Sequence, residues 1–413
     1  MPQLAAAQVE STVCPSCRGL GAEAICSIDA TPVMVTTAFE TAAEARATAR
    51  GDIDLAACKG CGFVFNRVFD QKLATTGAYY ESTQSASPHF SAFARDLATT
   101  WVERYGLKGS RVIEVGCGQG HFMTELVNAG AGSVLGIDPL ADEKHIPEAY
   151  RSKIDLDATE LASSHIAAEA DALFCRHSIE HVGRVADFLE LVAAWAAAHP
   201  GAPVLFEAPA SERIFKEGAF WDVFYEHCCY FTEATLATAF RTADMDVLRT
   251  DLVYGGQYLL LDAKAGSDQN ATAAVEADNV RSELETVADF GAKMRESIAH
   301  TRERLNAFAA AGDPAVIWQG AAKTVSLLAA IGDDIEIDCA VDLNTSRHNL
   351  FLPPRGLEIV SPESLRDRKP AHVVLMNEVY LKEVRKILDD LGLASTKLYG
   401  INHICGDGEF YRA

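Results

Sequence analysis

The segment that most constrains this chain is SRVIEVGCGQGHFMTELVNAG, residues 110–130. A short apolar run, residues 111–115, predicts a strand, and an amphipathic pattern after the glycines predicts a helix. Glycines at 116, 118 and 120 let the backbone approach a ligand closely at the carboxyl end of the strand. The segment therefore predicts an α/β domain with a parallel sheet and a ligand site at this turn.

A second strand, SVLGIDPL, ends at Asp138 about twenty residues after the turn, where a carboxylate can hold a ribose diol. Glu114 precedes the glycines and completes an ExGxGxG pattern. The combination resembles class I S-adenosylmethionine (SAM) methyltransferases; NAD binding is the alternative. The resemblance implies that SAM is bound by Glu114, Gly116, Gly118, Gly120, Asp138 and Pro139.

Histidines and a carboxylate follow two further predicted strands. DALFCRHSIEHV, residues 171–182, predicts a fourth strand that leads into His177 and His181, and PVLFEAP, residues 203–209, predicts a fifth that carries Glu207. Ligands of open α/β sheets bind at the carboxyl ends of the strands. We therefore expect these side chains where a substrate meets the cofactor. Each alone more often has a structural role, and only their shared position at the strand ends makes a functional role equally consistent.

The stretch WDVFYEHCCYFT, residues 221–232, combines five aromatic side chains with a carboxylate beside an imidazole. An imidazole can accept a proton near neutral pH, and a neighbouring carboxylate or phenol can orient it. Tyr225, Glu226 and His227 are therefore candidate catalytic residues. The alternative is a buried strand with a hydrogen-bonded histidine.

Four cysteines occur as two CxxC pairs. Two such pairs turn four thiolates toward one point and predict a tetrahedral Zn²⁺ site. Four thiolates leave no open position for chemistry, so we expect a structural site. The alternative is two unrelated reduced pairs. The predicted ligands are Cys14, Cys17, Cys58 and Cys61.

A second α/β pattern occupies the C-terminal third. Helical spacing over residues 270–312 predicts one or two connecting helices, and AVIWQGAAKTVSLLAA, residues 315–330, predicts strand, turn and helix. Lys323 and the backbone N–H groups of this turn are suited to an anion at a helix N-terminus. Further strands are predicted in residues 337–354, 371–380 and 397–404.

Length and charge set the broad class. A chain of 413 residues exceeds one ordinary domain. A net charge of −22 argues against nucleic-acid binding. Without a signal peptide or an apolar run of membrane-spanning length, we expect a cytoplasmic protein with no membrane partner. The predicted domains are a zinc lobe (1–75), a SAM-dependent methyltransferase domain (76–268) and a Rossmann-like domain with connecting helices (269–413).

Taken together, the four-cysteine lobe, the SAM motif, the YEHxxYF pattern and the third α/β domain resemble the zinc-containing sugar C-methyltransferases of deoxysugar biosynthesis. The resemblance implies His227 as catalytic base, assisted by Tyr225 and Glu226, with His181 also in the pocket. It further implies substrate contacts from Tyr79 or Tyr80 and from Lys323. Ile317, Trp318 and Gln319 replace the family's Gly-Tyr-Gly, which puts the particular sugar and nucleotide in doubt.

The predicted reaction is SAM-dependent methylation of a carbon next to the ketone of a nucleotide-linked deoxysugar. The enzyme would act through an enolate, on a small-molecule substrate, as a monomer or small homo-oligomer. An O- or N-methyltransferase is the near alternative. A non-catalytic SAM-binding scaffold is the alternative from another class.

Overall fold

The computed structural model describes residues 12–74, 87–267, 277–406 and 408–411. Three sheets of four, seven and six strands organise these residues into an N-terminal lobe, a central domain and a C-terminal domain. The described residues contain no helix that is long and apolar enough to cross a bilayer.

The N-terminal lobe is a small antiparallel sheet with one short helix. Its elements are β1 (Ala22–Pro32), α1 (Ala42–Arg46), β2 (Arg50–Cys58) and β3 (Val64–Asn66). Thr41 caps α1 reciprocally with Glu44, which satisfies two backbone N–H groups that the first helical turn leaves free.

The central domain surrounds the glycine turn. Its elements are α2 (Pro88–Arg104), β4 (Arg111–Val115), α3 (His121–Ala129), β5 (Ser133–Ile137), β6 (Ile154–Asp157), β7 (Ala172–Arg176), α4 (Val185–Ala198), β8 (Val204–Pro209), α5 (Ser211–Glu217), β9 (Cys229–Tyr230), α6 (Glu233–Thr242), β10 (Met245–Val253) and β11 (Tyr258–Ala265).

The seven-stranded sheet has the order β10-β11-β8-β7-β4-β5-β6. Strands β4 to β8 run parallel, and β11 is antiparallel to both of its neighbours. The chain moves outward from β4 through β5 to β6 and then returns to the other side of β4 at β7. A ligand crevice is expected where the strand order reverses, at the carboxyl ends of β4 and β7.

The C-terminal domain is a second, mostly parallel sheet in the order β14-β15-β13-β12-β16-β17. Its elements are α7 (Ala277–Ala288), α8 (Phe290–Ala310), β12 (Ala315–Trp318), α9 (Ala322–Ile331), β13 (Ile337–Val341), β14 (Phe351–Leu352), β15 (Leu357–Val360), α10 (Leu365–Arg368), β16 (His372–Leu375), α11 (Leu381–Asp390), β17 (Lys397–Gly400) and α12 (Ile401–Cys405). The predicted α/β class with a second Rossmann-like domain is confirmed.

The aromatic stretch 221–232 is mostly irregular. It contains the end of a 3₁₀ turn, Phe220–Asp222, and the two-residue strand β9. Strand β9 pairs with β3, so it completes the sheet of the N-terminal lobe although it belongs to the central domain in sequence. Trp221 and Tyr225 are buried in a core cluster that also includes residues of the lobe and of the C-terminal domain.

Candidate active site

A cavity of about 1040 Å³ lies where the three parts of the chain meet. The glycine turn and the histidine loops of the central domain form most of its wall. The lobe contributes Val35 and Thr36, and the C-terminal domain contributes Lys323 and Tyr380. The site is therefore not confined to the seven-stranded sheet of the central domain.

Hydrogen bonds to the central domain hold the C-terminal domain beside the cavity. The amides of Gln257 and Asn377 exchange two hydrogen bonds of 2.7 and 2.9 Å. The hydroxyl of Tyr254 donates to that of Tyr380 at 2.6 Å. These contacts link the central and C-terminal domains beside the cavity.

The glycine turn has the backbone that its sequence predicts. Gly116, Gly118 and Gly120 have φ values of 72°, 51° and 80°, which disfavour residues with a side chain. A Cβ at Gly116 would also overlap the Ser178 hydroxyl. Both constraints explain why position 116 is a glycine.

Asp138, at the end of β5, stabilises this turn. Its carboxylate accepts hydrogen bonds from the N–H groups of Gly118 at 2.9 Å and Leu140 at 2.7 Å. Asp138 and the adjacent Pro139 both line the cavity. Since a carboxylate has about four acceptor positions, Asp138 can still accept from a ligand diol.

Glu114 lies at the floor of the cavity and is 3% exposed. Burial raises the pKa of its carboxyl to about 8, against a smaller opposing effect of Arg176. Its Oε2 has no hydrogen-bond partner among the described residues. A buried carboxyl in this state is suited to a cationic ligand group, which would favour its ionised form.

Arg176, which the sequence analysis did not identify, ends β7 and pairs with Glu207. Glu207 is fully buried and also accepts from Nε2 of His177 at 3.1 Å. Burial disfavours the Glu207 carboxylate, but the charges of Arg176 and His177 outweigh it and lower the pKa of Glu207 to about 2. Glu207, predicted to bind substrate, therefore lies behind His177 and is not among the residues of the cavity wall.

His177 lies in the cavity wall with a φ of 47°. Its backbone N–H donates to the carbonyl of Glu207 at 2.9 Å, and its ring meets Tyr258 edge to face. Backbone and ring are thus both fixed. This arrangement suits a residue that presents one ring nitrogen in a defined direction.

His181 and His227 form the centre of the histidine wall. Their rings meet edge to face, with centroids 4.8 Å apart. Nδ1 of His181 lies 2.8 Å from the carbonyl oxygen of Glu226. Because a carbonyl only accepts, Nδ1 of His181 carries the proton, and Nε2 is the acceptor in the neutral ring. Burial lowers the pKa of His227 well below its ordinary range, and His181 adds to this effect.

Two buried carboxyls flank these histidines. Glu226 accepts from the Val35 N–H at 3.3 Å. Glu180, which the sequence analysis did not single out, lies in the 3₁₀ turn Ile179–His181 after β7. Burial raises the pKa of both carboxyls. The side-chain ligand atoms of Glu180, His181 and His227 lie within 4.8 Å of one another, a spacing at which the charge of one group shifts the pKa of another.

Tyr225 is buried away from the cavity. Its hydroxyl accepts from the backbone N–H of Asp70 at 3.0 Å, and its ring contacts Phe69. The structure therefore joins Tyr225 to the end of the lobe and does not bring it to His227. Tyr79 and Tyr80 lie outside the described residues.

Lys323 lies in the first turn of α9 and faces the cavity, but it is paired with Asp222. Asp222 also binds Arg213. Burial lowers the pKa of Lys323, and the charge of Asp222 opposes that effect. The predicted anion-binding lysine already has an internal partner, so an anionic ligand would compete with Asp222.

The four predicted zinc ligands converge in the lobe. Sγ of Cys14 lies 3.8 Å from that of Cys61, and Sγ of Cys17 lies 3.6 Å from that of Cys58. A tetrahedral ion with Zn–S bonds of about 2.3 Å requires S···S distances of about 3.8 Å. Backbone N–H groups of Gly19 and Gly60 point at two of the sulfurs. The geometry fits one closed tetrahedral metal site.

Comparison with known proteins agrees with this architecture. The family model described as "Methyltransferase domain" matches residues 90–250, and "C-methyltransferase C-terminal domain" matches residues 257–398. C-methyltransferase NovU of Streptomyces niveus is 25% identical over 351 residues, covering 80% of this chain and 81% of that protein.

Other similarities are partial. A tRNA U34 carboxymethyltransferase of Ectopseudomonas mendocina is 46% identical over 50 residues, which cover 10% of this chain and 16% of that protein. A SAM-dependent methyltransferase structure from Mesorhizobium loti is 18% identical with a TM-score of 0.32, over 41% of this chain and 99% of that one. Neither bears on the substrate of this chain.

The sheet order, the glycine turn and the matching families define the chain as a SAM-dependent methyltransferase with the class I fold. This confirms the predicted enzyme class and supports SAM as its cofactor. The C-terminal family match and the NovU relative further support a C-methyltransferase family.

Proposed function

We propose that this enzyme methylates the carbon next to the ketone of a nucleotide-linked deoxysugar and that His227 generates the carbon nucleophile. The observation that carries the proposal is the position of His227 in the same cavity as the glycine turn, edge to face with His181. The proposed base and the proposed SAM-binding turn thus line the same cavity, so one bound substrate can reach both.

The protonation state of His227 suits a general base. Because burial lowers its pKa, the ring is neutral at pH 7 and has a free lone pair. His227 removes the proton from the carbon beside the ketone as the C–H electron pair becomes the enolate. Water is excluded by the aromatic wall that includes Phe224 and Phe69, which slows protonation of the enolate by solvent.

The neighbouring residues position the base and the enolate. His181 is oriented by the Glu226 carbonyl, and Glu226 is itself held by Val35 of the lobe. Glu180, whose pKa is raised by burial, is a candidate O–H donor to the enolate oxygen. SAM supplies a methyl group on a cationic sulfur; the C–CH₃ bond forms as the S–CH₃ bond breaks, and the abstracted proton leaves from His227.

We also assign binding roles to the residues that line this cavity. We assign SAM to the turn of Gly116, Gly118 and Gly120, with its ribose on Asp138 and Pro139 and a cationic group toward Glu114. We assign the substrate to the side formed by His177 and Lys323, with Tyr79 or Tyr80 as further candidates. The four-cysteine site holds a structural Zn²⁺.

A cytoplasmic location is part of the proposal. None of the eleven cysteines forms a disulfide, which agrees with a reducing compartment. Four of them form the proposed metal site.

The direct test is methyl transfer from tritiated SAM to nucleotide-linked 4-keto-6-deoxyhexoses, followed by NMR of the product. A new methyl group on carbon, lost in the His227→Asn variant, supports the proposal. A methyl group on oxygen or nitrogen identifies a heteroatom methyltransferase. Absence of transfer to every ketosugar in the panel contradicts the proposed substrate class.

A further inference from the structure

Gln319 has a backbone conformation that favours glycine. It follows β12 with a φ of 103°. Its N–H donates to the Val341 carbonyl at 2.8 Å, and its own carbonyl accepts from the Ala321 N–H at 3.0 Å and from the Thr324 hydroxyl. The turn is thus held by neighbours on both sides, and a residue with a Cβ is strained there.

The side chain of Gln319 lies in the cavity wall beside Ala321 and Lys323. Its amide oxygen is buried and has no hydrogen-bond partner among the described residues. Buried polar atoms are usually satisfied, so an orphaned acceptor in a ligand cavity requires an explanation. The unsatisfied atom and the unfavourable φ occur in the same residue.

Packing does not explain the glutamine. At the adjacent Gly320 a Cβ would lie 3.0 Å from Ile359 and 3.4 Å from Asp342, so that position is restricted by its surroundings. Gln319 instead lies in the cavity wall, with its amide oxygen covered by neighbouring atoms. Strained residues with unsatisfied polar atoms concentrate at ligand sites, where a bound molecule supplies the missing bond.

We propose that Gln319 is a specificity-determining residue whose amide oxygen accepts a hydrogen bond from a hydroxyl or amino group of the methyl acceptor. The inference rests on the proposed function only in taking this cavity as the acceptor site. It does not depend on whether carbon or a heteroatom is methylated. It assigns the C-terminal domain a direct part in substrate selection.

The first arm of the test uses the ligand-free protein. Gln319→Gly removes both the strain and the orphaned oxygen, so its thermal midpoint should equal or exceed that of the wild type. Gln319→Met keeps the side-chain length without an acceptor, and its midpoint should also be no lower. A fall of several degrees in both variants would show that the amide serves the fold, and would overturn the proposal.

The second arm measures binding of a nucleotide-linked 4-keto-6-deoxyhexose, and of its analogues lacking one hydroxyl each, to protein saturated with S-adenosylhomocysteine. Both variants should bind the parent sugar about 10-fold or more weakly, as for loss of a buried hydrogen bond, with unchanged S-adenosylhomocysteine affinity. One analogue should bind wild type and Gln319→Met equally. Wild-type affinity of Gln319→Met for every sugar overturns the proposal. If the wild type binds none of the sugars, the proposed substrate class fails, and the first arm still decides whether Gln319 serves the fold.

Discussion

The rings of His181 and His227 meet edge to face, with centroids 4.8 Å apart and planes at 82°. Nδ1 of His181 donates to the Glu226 carbonyl, so the orientation of one histidine depends on the residue adjacent to the other. His227, His181 and the N-terminal lobe are therefore connected through one short segment, because Glu226 contacts both His181 and Val35.

The pH dependence of catalysis should follow His227. Since burial lowers its pKa below the ordinary value of 6.5, the base is neutral throughout the neutral range. We expect kcat/KM for the acceptor to stay level from pH 8 down past 6.5 and to fall only once His227 is protonated. A fall centred above pH 6.5 would contradict a buried, neutral base.

The same shift gives a stability prediction of defined sign. Below pH 6.5 the unfolded chain protonates His227 before the folded protein does, so stability falls as pH decreases. His227→Asn removes this linkage. The variant should lose less of its thermal midpoint than the wild type between pH 7 and pH 5.

Binding of SAM should release a proton from Glu114. Its pKa of about 8 leaves most of the free enzyme protonated at pH 7, and a cationic ligand favours the carboxylate. Calorimetric titrations in buffers of different ionisation enthalpy should show release of up to one proton. Glu114→Gln should abolish the buffer dependence, whereas Asp138→Asn should weaken SAM but retain it. Equal heats in all buffers for the wild type would show that SAM does not approach Glu114.

Glu114 also has a stability linkage. Its folded pKa is raised from 4.5 to about 8, so the ligand-free protein should lose stability as pH rises through this window. In Glu114→Gln this loss should be smaller, as measured by thermal unfolding at pH 5 and pH 8.

The four-cysteine site should contain about one zinc per chain by metal analysis. Cys58→Ser should lose the metal, whereas Cys26→Ser, which alters a cysteine outside the site, should retain it. Because β3 of this lobe pairs with β9, two residues after His227, metal loss should reduce methyl transfer more than SAM affinity. Absence of bound metal in carefully reduced wild-type protein would refute the site.

Lys323 provides a test of the C-terminal domain. Lys323→Ala should raise the KM for the nucleotide sugar and leave the SAM Kd unchanged. Because this change also leaves Asp222 with fewer charge partners, Lys323→Met combined with Asp222→Asn is the matched control for stability. An unaltered KM in both variants would indicate that the lysine serves only the ion pair.

The strands and the glycine turn could be predicted because their signals are local. The apolar run at 111–115 and the acidic residue that follows β5 determine a strand, a turn and a carboxylate without reference to distant residues. The same holds for the CxxC pairs, since four cysteines at this spacing favour one geometry.

Other features depended on contacts between distant segments. The sequence analysis predicts a shared role for Tyr225 and His227 because they are close in sequence, but the Tyr225 hydroxyl binds Asp70. Strand β9 joins the sheet of the lobe, and the residues before β9 are therefore directed toward the lobe. Glu207 lies near the end of β8, as predicted, but its carboxylate is bound by Arg176 and His177 and does not reach the cavity. The roles of Glu180 and Gln319 depend on burial and φ, which local sequence does not encode.

The central claim is that His227 removes a proton from carbon, and solvent hydrogen exchange tests it without methyl transfer. In deuterium oxide, with S-adenosylhomocysteine bound, the wild type should introduce deuterium beside the ketone of a nucleotide-linked 4-keto-6-deoxyhexose. His227→Asn should reduce this rate by about 10²–10⁴-fold, the usual contribution of a positioned base. His199→Asn, which alters a histidine stacked on Trp195 outside the cavity wall, should exchange at the wild-type rate. Exchange by His227→Asn at the wild-type rate would contradict the account and make His181 the next candidate; absence of exchange in the wild type would contradict formation of an enolate.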